Sequence, residues 1–175
     1  MTTRALMPLA IFLILAGFLW KGLYLQPSVI PSVMIGKPVP TFNLSTVADK
    51  TEEVTEDIFK NKISLVNVWA SWCYSCRQEH DFLLDVANKT DLQLLGINYK
   101  DNRENAKVWL EKLGNPFSVS VFDETGSLGI DWGVYGTPET FLVDAQGTIR
   151  FKYVGPIDQE IWNQVFLPEI KKIQG

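Results

Sequence analysis

Hydrophobic positions divide the chain into three parts. The first is a run without charge, ALMPLAIFLILAGFLW over residues 5–20, which continues past Lys21 to Leu25. The second, QPSVIPSVMI over residues 26–35, holds two prolines, two serines and no charge. From Gly36 onward short apolar runs alternate with amphipathic segments, a pattern typical of one folded domain.

The N-terminal run is about as long as a membrane-spanning helix, which needs ~20 residues. A cleaved signal peptide is the alternative, but bulky side chains occupy the positions where small residues would mark the cleavage site. We therefore predict an anchor over residues 1–25, a spacer over 26–35 and a folded domain over 36–175. Arg4 before the run favours a cytoplasmic N-terminus, with the domain on the outer side of the membrane.

Within the domain, apolar runs rich in β-branched residues predict buried strands. The predicted strands are residues 63–70, 92–99, 118–122, 140–143 and 148–154, the last two forming a hairpin. Segments with helical spacing are residues 55–61, 74–88, 101–113 and 158–173. In the third of these, Val108, Trp109 and Leu113 form the expected apolar face. Alternating strands and helices indicate an α/β fold with a parallel sheet, which the closing hairpin makes mixed.

Charge and cysteine content narrow the possible functions. The formal charge of the 175-residue chain is −4, and removing Arg4 and Lys21 leaves −6 on the remainder. No basic stripe is present, so nucleic-acid binding is disfavoured. Cys73 and Cys76 are the only cysteines, in WASWCYSCRQEH after the first buried strand. In an exported domain the two cysteines would be oxidised by default. If they act as thiols, an electron donor must keep them reduced.

The pair lies where a strand gives way to a helix. Cys73 would lie at the helix N-terminus, where unpaired N–H groups and a partial positive charge stabilise a thiolate. Cys76 follows on the same helical face and would point inward. This arrangement favours a dithiol exchange centre in which Cys73 attacks and Cys76 resolves the mixed disulfide.

Other roles for the pair fit less well. A structural disulfide across two residues would constrain the unfolded chain very little. A zinc site needs about four ligands, and His80 is the only other soft donor. A c-type haem anchor needs histidine directly after the second cysteine, where Arg77 stands. A peroxidatic cysteine would need no partner three residues away. We therefore expect no metal and no cofactor beyond the cysteine pair.

Several motifs together resemble a known family. Residues 72–76 (WCYSC) after an apolar strand, and residues 136–141 (GTPETF), resemble the two hallmarks of the thioredoxin superfamily. These are the CxxC centre and the cis-proline loop that faces it. Residues 36–44 (GKPVPTFNL), 96–101 (GINYKD) and 133–140 (GVYGTPET) are more specific. With the anchor, they resemble the thiol:disulfide interchange proteins of cytochrome c maturation, the DsbE or CcmG family.

The resemblance implies a thioredoxin-like fold on a single-pass anchor in the bacterial inner membrane, with a periplasmic domain. Such a protein receives electrons from a membrane thiol–disulfide carrier. It reduces the disulfide of apocytochrome c, or of the thioredoxin-like or haem-lyase component that handles it. Relatives usually carry proline between the cysteines, so Tyr74 and Ser75 are expected to alter the redox poise. A redox-inactive docking module and a general periplasmic disulfide reductase remain the alternatives.

The resemblance also assigns residues around the cysteines. Pro138 would be cis and would expose the backbone of Thr137 to an extended substrate, whereas the alternative is an ordinary trans proline. Trp72 would cover the disulfide and join the docking surface. Glu139 would contact substrate, and its negative charge would disfavour the Cys73 thiolate and make the protein a stronger reductant. The alternative for Glu139 is a solvated loop carboxylate.

Three further positions have expected places. His80, the only histidine, is expected on the helix surface, with proton transfer as the alternative. Trp69 is expected in the strand core. Residues 98–101 are expected to shape one wall of a substrate groove.

Overall fold

The computed structural model describes residues 3–23 and 33–175, so most of the spacer predicted over residues 26–35 lies outside the described residues. The first helix is α1 (Thr3–Leu23), and its large apolar side chains from Met7 to Trp20 are exposed. In the part of the chain that the structure describes, no helix combines the length and apolar character needed to cross a membrane.

A mixed five-stranded sheet forms the centre of the domain. Its strands are β3 (Ser64–Trp69), β4 (Gln93–Tyr99), β5 (Val119–Asp123), β6 (Glu139–Val143) and β7 (Ile149–Val154), in the order β5–β4–β3–β6–β7. Strands β3, β4 and β5 pair in parallel, whereas β6 is antiparallel to both β3 and β7. The predicted mixed sheet with a closing hairpin is confirmed.

The helices follow the predicted order with one addition. They are α2 (Tyr74–Lys89), α3 (Arg103–Leu113), α4 (Ser127–Asp131), α5 (Gln159–Ile161) and α6 (Leu167–Gln174). A π-helical segment (Trp162–Phe166) joins α5 to α6, so the predicted final helix is confirmed. A 3-10 turn (Glu56–Phe59) occupies the first predicted helical segment. The short α4 was not predicted.

The two faces of the sheet bury separate apolar clusters, because successive strand residues point to opposite faces. Leu65 and Trp69 of β3 pack with side chains from α2, α3 and the C-terminal helix. Val66 and Val68 pack on the other face with side chains from the 3-10 turn and α4. The central strand is therefore buried on both sides, as its continuous apolar run predicts.

Two local features differ from the sequence expectation. Strands β1 (Asn43–Ser45) and β2 (Glu53–Thr55) form a small antiparallel sheet that was not predicted. In α3, Val108 is exposed, whereas Ala106 is buried. The predicted apolar face was wrong at Val108, because the buried stripe of a helix advances by three or four residues and runs from Ala106 toward Leu113.

Candidate active site

The cysteine pair caps the second helix. Cys73 is the N-cap of α2, and its Sγ accepts a hydrogen bond from the Cys76 backbone N–H at 3.1 Å. The two sulfurs form a disulfide with a length of 2.05 Å. Cys73 is 6% exposed and Cys76 is 2% exposed, so both residues are buried in the oxidised protein. The predicted position at a helix N-terminus is confirmed.

The segment before Cys73 is held by the end of β4. The Asp101 carboxylate accepts hydrogen bonds from the Ser71 backbone N–H at 2.5 Å and from the Ser71 hydroxyl at 2.7 Å. The amide of Asn98 donates to the same carboxylate at 2.9 Å. The Trp72 indole N–H donates to the Lys100 carbonyl at 3.0 Å. Residues 98–101 therefore hold residues 70–73, here called the cysteine loop. That residues 98–101 also form one wall of a substrate groove stays a prediction.

The segment of residues 133–138, here called the proline loop, lies next to the cysteine loop. Val68 near the end of β3 pairs with Glu139 at the start of β6. Because these strands are antiparallel, the loop that follows β3 and the loop that precedes β6 meet at one end of the sheet. The Thr137–Pro138 peptide bond is cis, as predicted.

Exposed aromatic side chains occur on both loops. Trp72 is 59% exposed and Tyr74 is 79% exposed, and both flank Cys73. Tyr135 on the proline loop is 71% exposed. Exposed aromatic rings are typical of binding surfaces. The sequence predicts roles for Trp72 and Tyr74, whereas Tyr135, within the motif GVYGTPET, has no predicted role.

Glu139 is fully buried, so the alternative of a solvated loop carboxylate is wrong. Its Oε1 accepts hydrogen bonds from the backbone N–H of Tyr135 at 2.9 Å and of Gly136 at 3.3 Å. Its Oε2 lies 2.9 Å from the ammonium of Lys152, whose side chain is also fully buried. This contact is an ion pair outside hydrogen-bond geometry. Because Lys152 compensates the charge, redox tuning by a lone negative Glu139 loses its physical basis.

A second buried carboxyl, that of Glu79, lies on the helix that begins at the disulfide and was not predicted. Glu79 of α2 is three residues after Cys76, which places the two on the same side of the helix. Its Oε1 accepts from the Asn67 amide at 2.8 Å, and its Oε2 accepts from the Ile157 backbone N–H at 2.8 Å. Burial raises the pKa of Glu79 to about 7, and the hydrogen bonds from Ile157 and Asn67 partly oppose that rise.

A signal for this carboxyl was present in the sequence. The buried stripe of α2 includes Cys76, Glu79, Leu83 and Val86, which follow the three- and four-residue spacing of a packed face. A glutamate in such a stripe is either paired or shifted in pKa, because an unpaired buried carboxylate is costly.

His80 was expected on the helix surface, and this prediction was wrong. The side chain is buried, its Nε2 lies 3.0 Å from the Gly114 carbonyl, and its ring packs edge-on against Trp109 at 4.2 Å. Burial lowers the pKa of His80, with the Gly114 carbonyl acting in the opposite direction. Trp69 lies in the core as predicted, where it stacks on Trp109 at 4.8 Å.

Metal ligands are not clustered in the part of the chain that the structure describes. Among residues 3–23 and 33–175, no group of three or more His, Cys, Asp or Glu side chains could hold a metal ion. The expectation that the cysteine pair works without a cofactor stays a prediction.

Comparison with known proteins agrees with this geometry. The family model described as Redoxin matches residues 34–165. A thiol:disulfide interchange protein DsbE of Allochromatium vinosum is 49% identical over 98% of this chain and 95% of its own length. The DsbE of Pseudomonas aeruginosa is 50% identical over 93% of this chain and 90% of its own length. The chain belongs to the DsbE family of thiol:disulfide interchange proteins.

Solved structures agree with the DsbE assignment. A crystal structure from Chlorobium tepidum, assigned as a thiol:disulfide interchange protein DsbE, superposes with a TM-score of 0.70 at 25% identity, covering 82% of this chain and all of that one. A DsbF homologue from Corynebacterium diphtheriae gives a TM-score of 0.68 at 20% identity, covering 84% of this chain and 93% of its own, which shows the fold alone. The predicted thioredoxin-like fold and the predicted thiol:disulfide oxidoreductase activity of this DsbE-family chain are confirmed.

Proposed function

We propose that this DsbE-family chain is a membrane-anchored periplasmic reductant in cytochrome c maturation. Its substrate would be the disulfide of apocytochrome c, or of the thioredoxin-like or haem-lyase component that handles it. The observation that carries the proposal is a Cys73–Cys76 disulfide at a helix N-terminus, flanked by exposed aromatic side chains, in a chain about half identical to DsbE proteins.

The first chemical step is attack by Cys73. In the reduced protein the Cys73 thiolate is stabilised by the helix N-terminus and by the Cys76 backbone N–H. It forms a bond to one sulfur of the client disulfide, whose S–S bond breaks, and the other client sulfur leaves as a thiolate. The product is a mixed disulfide between the protein and its client.

The second step releases the client. The Cys76 thiol gives its proton to Glu79, and the resulting thiolate attacks the Cys73 sulfur. The bond between Cys73 and the client breaks, and the second client sulfur leaves as a thiolate. Two electrons have then moved to the client, and the protein holds the disulfide seen in the structure. Glu79 suits the proton transfer because its pKa of about 7 lies near neutral pH.

The surface around the disulfide supplies client recognition. Thr137, next to Pro138, would offer its backbone to an extended client peptide, as in other strand-addition complexes. Trp72 would provide an apolar contact beside Cys73. Glu139 would act through the proline loop, whose backbone N–H groups it binds, rather than as a charge on the client. Tyr74 and Ser75, between the cysteines, would set the redox poise.

The N-terminal segment of residues 1–25 would supply the membrane anchor. Residues 5–20 carry no charge, and Lys21 follows at a position where its side chain can reach the interface. The anchor over residues 1–25 would keep the domain in the periplasm beside a membrane thiol–disulfide carrier, which is the electron source that a reductant needs in an oxidising compartment. Recovery of the native protein in the soluble periplasmic fraction, without its first residues, would contradict this part of the proposal.

Trapping and potential measurements test the direction of the reaction. We expect Cys76→Ala to accumulate a mixed disulfide through Cys73 with an apocytochrome or its assembly component. We also expect a reduction potential nearer the ~−270 mV of thioredoxin than the ~−120 mV of a strong oxidant. A potential near the oxidant value would overturn the reductant role. Normal holocytochrome c in a Cys73→Ser, Cys76→Ser strain would instead favour a docking module.

A further inference from the structure

Lys152 is a fully buried lysine that takes no part in the thiol–disulfide exchange steps proposed above. It lies on β7 opposite Phe141 of β6, and its ammonium has no access to solvent. Burial of a lysine is rare and requires compensation of its charge and of its three N–H donors. Its partners therefore show what the residue holds in place.

Most of those partners lie in or directly beside the proline loop, and the other is the Phe141 ring of β6, whose centroid lies 5.5 Å from the ammonium. The Lys152 ammonium donates a hydrogen bond to the Gly133 carbonyl at 2.7 Å and lies 2.9 Å from Glu139 Oε2. It also lies 4.2 Å from the centroid of the Tyr135 ring. The Lys152 ammonium therefore contacts Gly133, the first residue of the proline loop, the exposed Tyr135 ring in that loop, and the carboxylate of Glu139, which directly follows the loop.

The Glu139 carboxylate also binds the backbone of the proline loop. Glu139 Oε1 accepts the backbone N–H groups of Tyr135 and Gly136. The Lys152–Glu139 pair therefore fixes the loop backbone on both sides of Tyr135. With its backbone held, and with one face of its ring near the ammonium, the Tyr135 side chain is still 71% exposed.

Stability alone is a weak reason for such a pair. Replacing a buried ion pair by uncharged side chains of similar volume is often neutral or stabilising, because desolvation offsets the charge attraction. An effect on geometry is a better explanation, because the hydrogen bond, the ion pair and the nearest ring contact of the ammonium all lie in the proline loop or in the residue that follows it.

We propose that Lys152 is a positioning residue that holds the proline loop, and with it Tyr135, in the geometry that receives an extended client peptide. The inference rests on the proposed function only in requiring a peptide client, since it holds for either direction of electron flow. Tyr135 is the client contact, and Lys152 acts through it and through the loop backbone.

The test compares two oxidants of the reduced full-length chain in detergent. One is a synthetic decapeptide with an intramolecular Cys-x-x-Cys-His disulfide, and the other is the small aromatic disulfide DTNB, which is too small to span the loop. The double variant Lys152→Met, Glu139→Gln removes both charges together, so no buried charge is left unpaired. We expect its rate with the peptide to fall by roughly 10- to 100-fold, the size of effect that misplaced binding groups produce. We expect its rate with DTNB to stay within about twofold of wild type, because the substitutions leave the cysteine pair in place.

Three further variants sharpen the result. Lys152→Arg keeps the charge and the donors and should recover most of the peptide rate. Tyr135→Ala leaves the ion pair in place and should also lower the peptide rate, through a raised KM rather than a lowered kcat. Lys89→Met is the matched control, because Lys89 pairs with Asp85 on the surface of α2, and both rates should be unchanged.

The two rates separate the possible outcomes. A parallel fall in both rates would show that Lys152 affects the cysteines themselves and would overturn the proposal. An unchanged peptide rate in the folded double variant would overturn it as well. Failure of the cytochrome c role would appear in holocytochrome levels in cells and would leave the ratio of the two rates unaltered.

Discussion

Two buried carboxyl groups near the disulfide have different surroundings. Glu79 accepts from two neutral donors, the Asn67 amide and the Ile157 backbone N–H, and its pKa rises to about 7. Glu139 faces two backbone N–H groups and the buried Lys152 ammonium. The first arrangement makes a group that can gain and lose a proton near neutral pH. The second makes a fixed charge pair that holds a loop.

The comparison shows that burial alone does not assign a role to a carboxyl group. Desolvation disfavours the charged form in both cases, and the nearest partner decides how the protein accommodates it. Without a cation nearby, burial shifts the pKa of the carboxyl group, as it does for Glu79, whereas beside Glu139 the buried Lys152 ammonium compensates the negative charge. The following variants test each role by removing the carboxyl group or one of its partners.

The largest effect should come from removing the cation of the fixed pair. Lys152→Met leaves Glu139 buried without its partner, and we expect a loss of about 3–5 kcal/mol in the free energy of unfolding. Chemical denaturation of the oxidised full-length chain in detergent measures it. The double variant Lys152→Met, Glu139→Gln should recover most of that loss, because no unpaired charge remains.

The surface pair of Lys89 and Asp85 is the control for this first test. It joins residues four apart on α2 at 2.7 Å, and both side chains are largely exposed. Lys89→Met should leave the unfolding curve indistinguishable from that of the wild type, because exposed ion pairs contribute little. If Lys152→Met behaved like Lys89→Met, the pair with Glu139 would not be a fixed charge pair.

The second effect is a decline of stability with rising pH, which Glu79 should produce. Its pKa is about 7 in the folded protein against an ordinary value of 4.5, so between these values the folded state binds more protons than the unfolded state. Stability from this group is therefore lost as pH rises through that window. Across the window the loss is on the order of 3 kcal/mol, at 1.36 kcal/mol for each pKa unit.

Glu79→Gln isolates this contribution. Its glutamine cannot accept from both Asn67 and Ile157, so the variant will be less stable at low pH, but the decline between pH 4.5 and 7 should be absent. The wild-type and Glu79→Gln profiles must be compared with each other, because His80 also contributes to the pH dependence. Its pKa is lowered, so its contribution to the stability of the protein increases with rising pH in an overlapping range. Parallel profiles for wild type and variant would show that Glu79 does not titrate there.

The contrast between the two carboxyl groups was only partly predictable from the sequence. The apolar run of β3 and the spacing of α2 indicated where the cysteine loop lies, and the proline loop followed from a family motif. Glu79 and His80 were missed because charged and polar residues are surface residues by default, although both lie on the buried stripe of α2.

The partner of Glu139 was harder to predict. Lys152 reaches it across the β6–β7 hairpin, where Phe141 is opposite Lys152 and Glu139 is two residues away on the same face. Finding the pair requires the strand register, which depends on strand ends that apolar runs do not define to one residue. The short elements α4, β1 and β2 were missed because three to five residues are too few to show a period.

The smallest effect should come from tuning Glu79 without removing it. Asn67 donates one amide proton to Glu79 at 2.8 Å and the other to the Thr140 hydroxyl at 3.0 Å. Its bond to Glu79 lowers the pKa of that carboxyl, so Asn67→Leu should raise the pKa of Glu79 further above about 7. One hydrogen bond of about 1 kcal/mol corresponds to a shift of roughly one pKa unit or less.

Thr140→Val is the matched variant, because it removes the other partner of Asn67 and keeps the bond to Glu79. Carboxyl carbon NMR of Glu79 reports the pKa in each protein, and the pH dependence of mixed-disulfide release reports its effect on Cys76. We expect both to move to higher pH in Asn67→Leu and to stay in place in Thr140→Val. A shift in the carboxyl signal without a shift in release would mean that Glu79 titrates but does not take the proton of Cys76. Equal shifts in both variants would assign the effect to general loosening of the core rather than to the hydrogen bond.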